Sequence, residues 1–342
     1  MAEQVSSNHS RGTHLGVLKA AFEYTGSPHW IMYCIQRLGL DKQFGFELQI
    51  DYMDDKMRGP RHSTEQALVD GEVDFIDTDW MTLARFRQQG LAVSAVYPYG
   101  RILGGLLVAA DSKIESVAQL QGCSLGVVGR SDKNWILTQA YAKKVHQIDL
   151  AEQVQLRHAS SKSELQQWLQ QRQVDAGLVY WHQIPELTRQ HGYRLLLDIP
   201  TILPALGMPS TPTTFFLFRD AFVESHPELI EAYIQAFQAA VNQLQHDDAL
   251  WQEIADKILN LDDAEQLAGL RDVWSSRISG SWSGTNIKML QVFYQQLQQL
   301  TGESFAAGNR MPDGCFNWQF MQPAAVLCDQ LASEQPSNRI AL

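Results

Sequence analysis

Cysteine is scarce in this chain, with only Cys34, Cys123, Cys315 and Cys328 among 342 residues. None belongs to a CxxC pair and the closest two lie 13 residues apart, which excludes a thioredoxin-type motif and a zinc knuckle on spacing. Buried free thiols are expected, with a Cys315–Cys328 disulfide as the alternative. Basic residues are also short, 27 against 38 acidic ones, and the net charge of -11 argues against nucleic acid or an anionic membrane surface as a partner. No apolar run approaches the roughly 20 residues that span a bilayer, so the chain is not expected to cross a membrane. Charged side chains make up 19% and aromatics 10%, too few and too many for a disordered chain. GxxxxGK[ST], strand-linked GxGxxG and HExxH are all missing, so P-loop, dinucleotide and zincin chemistry have no local support. Gly280-Ser281-Trp282-Ser283-Gly284 has the outline of a nucleophile elbow, but Trp282 stands where serine is required. The histidines show no ligand spacing. Neither a metal nor a cofactor is expected.

What remains is a soluble globular chain with 45% apolar residues, long enough for two domains or two lobes. Residues 1–12 read as a disordered polar tail without an apolar signal-peptide core. The sequence as it stands therefore points to the cytoplasm, and to the periplasm if a signal peptide was removed. Beyond the tail, strands expected at 14–22, 46–53, 73–78, 92–97, 104–110, 124–128, 154–158, 176–180 and 194–199 alternate with helices at 30–38, 63–70, 81–89, 132–145, 162–171 and 184–191. This alternation predicts α/β architecture with mostly parallel sheets. After a strand at 213–219 the pattern becomes helical, opening with Ser225 as N-cap, Pro227 and Glu228 ahead of a helix over 229–244. Further helices fit 249–258, 264–277, 285–300 and 318–331.

An internal echo stands out. Val73-Asp74 and Trp80 recur as Val174-Asp175 and Trp181, at an offset of 101. Each copy begins a strand and places its tryptophan where that strand gives way to a helix. Ligands in open parallel sheets lie just beyond such strand ends. Collecting the residues there gives Tyr24, Ser27, His29, Arg61, His62, Ser63, Asp79, Trp80, Arg130, Ser131, Tyr180 and Trp181, with Arg101 nearby. The functional reading is a cleft between two lobes: aromatic walls from Trp80, Tyr180 and Trp181, helix N-termini at Ser63 and Ser131, and positive potential from Arg61, Arg101 and Arg130. An anionic ligand is favoured. The plainer readings stand beside it: ordinary N-caps, core tryptophans and solvated surface arginines. Of the histidines, His29, His62 and His182 alone fall on the expected cleft.

The run Gly105-Leu-Leu-Val-Ala-Ala-Asp-Ser-Lys-Ile-Glu-Ser-Val-Ala-Gln-Leu-Gln-Gly122 resembles the signature of substrate-binding proteins that serve ABC importers of nitrate, sulfonate and taurine type. Ala67-Leu-Val-Asp-Gly-Glu-Val-Asp74, Gln173-Val-Asp-Ala-Gly177 and Phe222-Val-Glu-Ser-His-Pro-Glu-Leu229 extend the resemblance over residues 14–300. The same family group includes pyrimidine-precursor synthases of thiamine biosynthesis and sulfinate desulfinases. The resemblance implies a type II periplasmic-binding-protein fold with extra C-terminal helices. Its lobes would comprise residues 13–105 with 206–342, and residues 106–205. It also implies a small-molecule ligand, an ABC permease as partner, and a monomer. The chain departs from the synthases, because Ala205-Leu-Gly-Met-Pro-Ser-Thr-Pro212 carries no cysteine cluster and no lysine follows the third strand to hold pyridoxal phosphate. It departs from the desulfinases in having Ser27 where their nucleophilic cysteine stands.

Two functions follow. The first is reversible capture of a small anion by lobe closure, for an importer or as a sensor, with no chemistry on the ligand. The alternative is a cytoplasmic hydrolase or lyase acting on a sulfinate-like anion, with Ser27 as nucleophile and His29 or His62 as its base.

Overall fold

The computed structural model describes residues 14–53, 63–129, 132–208, 211–278, 283–302 and 310–320. The expected tail at 1–12 lies outside them. Ten strands form two five-stranded sheets. They are β1 (Gly16–Glu23), β2 (Phe46–Met53), β3 (Phe75–Asp79), β4 (Val93–Gly100), β5 (Gly105–Ala109), β6 (Ser124–Val128), β7 (Gln155–Ala159), β8 (Ala176–Val179), β9 (Tyr193–Asp198) and β10 (Thr214–Arg219). The first sheet runs β2-β1-β3-β10-β4 and the second β7-β6-β8-β5-β9. In each, one strand is antiparallel to both neighbours: β10 in the first and β5 in the second. These are the strands entered directly after the chain crosses between sheets, β5 after β4 and β10 after the segment that follows β9. The two sheets therefore share one winding, and each receives the crossing chain at the same place. This is a two-lobed α/β architecture.

The sequence echo has a structural cause. The Asp74 carboxylate accepts the Lys19 backbone N–H at 2.8 Å, while the Asp74 N–H donates to the Lys19 carbonyl at 2.9 Å. In the second sheet the Asp175 carboxylate accepts the Ser124 N–H at 2.7 Å, and the Asp175 N–H donates to the Ser124 carbonyl at 3.0 Å. Each aspartate thus ties the start of its strand, β3 or β8, to the parallel neighbour beside it, β1 or β6.

The crossing from β4 to β5 runs through Gly104, which adopts φ 154°. A Cβ there would fall 2.4 Å from the Asn134 amide nitrogen and 3.0 Å from the Val179 carbonyl oxygen, so only glycine fits.

Helix Pro227–His246 packs on helix Pro28–Leu38 over the first sheet. Trp30 meets Trp181 and Trp251 edge-to-face, each at 5.6 Å between ring centroids. A second apolar cluster spans both lobes. Helix Gly284–Thr301 packs against helix Lys133–Tyr141 of the second sheet and, through Phe293, against Trp80 in helix Trp80–Gln88 of the first. The outer edge of β4 is covered where Cys315 and Asn317 bond Ala95 and where Ile278 bridges Gly100.

Several expectations change. Ser225 does not cap the long helix; it closes the short helix Asp220–Ser225, its hydroxyl donating to the Ala221 carbonyl at 2.7 Å. His226 takes the N-cap place. The backbone of the preceding turn supplied a nearer partner than the helix ahead. Helix Ile199–Leu206 has no counterpart among the expected elements, because Pro200 and Pro204 speak against a helix locally. Of the helix expected over 318–331, Trp318–Phe320 form a bend and turn, and the rest lies outside the described residues. Cys34, Cys123 and Cys315 are free thiols, and Cys328 lies outside the described residues. Burial pushes the Cys34 and Cys315 thiols up to about 12, which suits core packing and not reactivity.

Candidate functional site

Strand ends of both sheets converge on a cleft of about 210 Å³. The first lobe contributes Glu23 at the end of β1, Gly26 and Ser27 in the loop after it, Pro28 at the start of the next helix, and Asp77-Thr78-Asp79 at the end of β3. The second lobe contributes Lys133 and Lys162, each the first residue of the helix after β6 or β7, together with Tyr180-Trp181-His182 after β8. Arg277, the last residue of helix Ala264–Arg277, reaches in from the C-terminal region.

Lys162 and Glu23 form an ion pair across the lobes. The same ammonium lies 4.9 Å from the centre of the Tyr180 ring, with Lys133 5.7 Å from it, so Tyr180 is a π-face shared by two cations. Arg277 donates to the Arg101 carbonyl at 2.9 Å and stacks 4.9 Å from the Tyr99 ring. Its buried Nε has no hydrogen-bond partner among the described residues. The Ser27 hydroxyl is hydrogen-bonded to the buried Tyr99 hydroxyl behind the cleft wall.

Titration follows from depth. Desolvation raises the Asp77 carboxyl to about 6, with Glu23 adding and Arg277, Lys162 and Lys133 opposing. Desolvation also depresses His182 to about 3, reinforced by Lys162 and Arg277. His182 is accordingly neutral across the physiological range. Burial pushes the Tyr99 hydroxyl up to about 12.

The expected site residues divide. Ser27, Asp79, Tyr180 and Trp181 line the cleft, and Tyr24 lines an adjoining pocket of about 230 Å³ with Lys162 and His182. Ser63 caps helix Thr64–Asp70 through the Gln66 N–H at 3.1 Å, and Thr64 and Glu65 of that helix reach the cleft. The Gln66 side-chain amide donates along the helix to Asp70 at 2.8 Å. Asp79 caps the helix behind it by accepting from the Met81 N–H at 2.8 Å and the Thr82 N–H at 3.1 Å. Asp132, not Ser131, caps helix Lys133–Tyr141. Carboxylates therefore already occupy two of the helix N-termini that an anion would use.

His29 is buried behind the cleft, its Nδ1 2.9 Å from the Tyr24 carbonyl and its ring 4.0 Å from that of Tyr52. Burial lowers its pKa, and Ser27 is bonded to Tyr99 in its place, so Ser27 and His29 do not form a nucleophile–base pair. Trp80 lies fully buried against Phe293 and not on the cleft wall, because helix Gly284–Thr301 supplies an apolar partner behind it. Arg101 lies outside the cleft, donating to the Ser276 carbonyl at 3.0 Å. Arg61, His62, Arg130 and Ser131 lie outside the described residues.

Of the arginines expected to bias the slot, Arg61 and Arg130 lie outside the described residues; among the described residues the lining is mixed in charge. Lys133, Lys162 and Arg277 face Glu23, Glu65, Asp77 and Asp79. Glu23 and Asp77 are not among the residues that follow the strands, where ligands are expected, because they belong to the strands themselves. Lys133 and Lys162 were legible as first residues of helices after strands. Arg277 had no such signal.

Residues 29–248 match the family model described as NMT1/THI5 like. No curated protein matches the chain. Among solved structures it is similar to the periplasmic aliphatic sulphonate binding protein SsuA from Escherichia coli, with TM-score 0.68 and 15% identity over 95% of this chain and 97% of that one. The alkanesulfonate-binding protein SsuA from Xanthomonas axonopodis pv. citri, bound to MOPS, gives TM-score 0.66 and 14% identity over 86% and 96% of the two chains. A Candida albicans protein, the CA3427 gene product, described as exhibiting the generic periplasmic binding protein fold, gives 0.61 and 15% over 95% and 98%. At these identities the likeness is one of fold, and the chain has the periplasmic-binding-protein fold. Among the described residues no helix is long and apolar enough to cross a membrane.

Proposed function

We propose, since the chain belongs to the NMT1/THI5-like family, that it is a solute-binding protein that captures a small organic ligand by closing its lobes, in partnership with an ABC permease. One observation carries the reading: a small cleft lined by corresponding strand ends of two sheets with the same winding, and spanned by the Lys162–Glu23 ion pair. A space of about 210 Å³ lies below the roughly 300–1,000 Å³ of drug-sized pockets, so the solute is small. Lys133 and Arg277 suit an anionic group on it, and Asp77 suits hydrogen-bond donors. A sulfonate that also carries an amine or amide answers both ends, and Tyr180 and Trp181 suit its apolar body. Binding draws the lobes together because the solute touches both only when they are shut.

Thermal unfolding against short alkanesulfonates, taurine, nitrate and pyrimidines, with mass spectrometry of each mixture, tests this. At least one solute is expected to raise the Tm and be recovered unchanged. Lys133→Ala is expected to weaken that solute tenfold or more, as loss of a charge-assisted hydrogen bond of about 1.5–3 kcal/mol requires. Conversion of the solute would replace the reading with an enzymatic one, and a panel without any Tm shift would remove it.

A further inference from the structure

Between the crossing segments lies a second cavity of about 540 Å³, more than twice the cleft's volume. Leu103 and Trp181 line both spaces and so partition them. The remaining walls are largely apolar, from Ile102, Ile184, Leu203 and Met208, and Leu195 at 41% exposure leaves apolar surface open to solvent. An apolar guest would remove that surface from water, a gain of about 25 cal/mol per Å² buried.

The polar groups of the cavity differ in how far they are committed. Arg101 donates from its outer guanidinium nitrogen to the Ser276 carbonyl and is tied through its backbone N–H to the Arg277 carbonyl, while its Nε is sealed from solvent without a hydrogen-bond partner among the described residues. Asp198 ends β9 and precedes helix Ile199–Leu206, yet its carboxylate makes no capping bond. The carboxylate has neither a hydrogen bond nor an ion pair among the described residues; the Thr201 hydroxyl donates to the Asp198 backbone carbonyl instead. A half-buried carboxylate without a partner in an apolar chamber is a place for a donor. Burial raises its pKa, in keeping with that setting.

We propose that this cavity is a second ligand site, for a molecule with an apolar body and one amino or similar hydrogen-bond-donating head that Asp198 accepts. The site is distinct from the solute cleft and stands whether or not the cleft's reading holds.

The test is calorimetric titration of the protein with 4-phenylbutylamine, and with 4-phenylbutanol and 4-phenylbutyrate as neutral and anionic counterparts. The amine is expected to bind saturably at one site, at least tenfold tighter than the carboxylate. Leu195→Trp, which fills the open rim, and Asp198→Asn are each expected to weaken the amine tenfold or more. Asp198→Asn should leave the alcohol within about twofold, and Lys133→Ala in the cleft should leave the amine unaffected. Absence of saturable amine binding, tighter binding of the carboxylate, or amine affinity unchanged in Leu195→Trp overturns the proposal. Loss of the amine in Lys133→Ala does so too, because the probe would then occupy the cleft. Thermal unfolding of both rim variants checks that each is folded.

Discussion

Asp77 and His182 face the same cleft and titrate in opposite senses. The folded-state pKa of Asp77 is raised to about 6, so the folded protein holds a proton there that the unfolded chain releases near its ordinary value of 3.8. Stability from this residue therefore falls as pH climbs from about 4 to 6. Asp77→Asn removes the loss, and urea unfolding should find it more stable than the parent by up to about 3 kcal/mol above pH 6, with the difference vanishing below pH 4. His182, depressed to about 3, works the other way. The unfolded chain takes up a proton near pH 6.5 that the folded protein refuses, so the parent loses stability as pH drops from there toward 3. His182→Gln should be spared that loss, and a difference between the two that does not change between pH 7 and pH 4 would contradict the assignment. Neither residue's behaviour is visible in its neighbours along the chain, because the cause is burial, modified by charges at Glu23, Lys162 and Arg277 that are distant in sequence.

At the scale of elements, the crossings are more constrained than the sheets they join. Gly104 combines a backbone conformation unfavourable to side chains with contacts that leave no room for a Cβ. Gly104→Ala is expected to lower unfolding stability by about 1–3 kcal/mol in denaturant titration. A change within a few tenths of a kcal/mol would mean that the segment relaxes at no cost. Boundaries of the strands and helices were largely legible from hydrophobic alternation and turn residues: β2, β6 and helix Ala264–Arg277 coincide with their expected bounds. Helix Ile199–Leu206 was not legible, since its two prolines speak against a helix when only local propensity is weighed. Its apolar face nevertheless finds helix Lys133–Tyr141, and tertiary packing prevails.

At the scale of the whole molecule, two devices hold the lobes in register. Helix Gly284–Thr301 is wedged between helices of both sheets, and the Lys162–Glu23 pair spans the mouth of the cleft. Glu23→Gln keeps the shape and removes the charge. Small-angle scattering of the ligand-free variant should then show a larger radius of gyration than the parent, and affinity for a cleft ligand should fall roughly tenfold, because the closed arrangement is less populated. Identical scattering curves would show that the wedge alone sets the lobe angle.

Taken by itself, the order of residues determined the alternation of strands and helices, the echo at Asp74 and Asp175, and several of the strand-end residues that line the cleft. These rest on backbone preferences and hydrophobic spacing over a few residues. Only the tertiary structure decided what each strand end faces. Trp80 and Trp181 occupy equivalent places in the repeat, yet Trp80 is sealed under Phe293 while Trp181 remains on the cleft wall. Arg277 enters the cleft from the far end of the chain and Arg101 is turned out of it. Burial and charge pairing are set by segments distant in sequence, so the sign and shape of the site emerge only when those segments are packed.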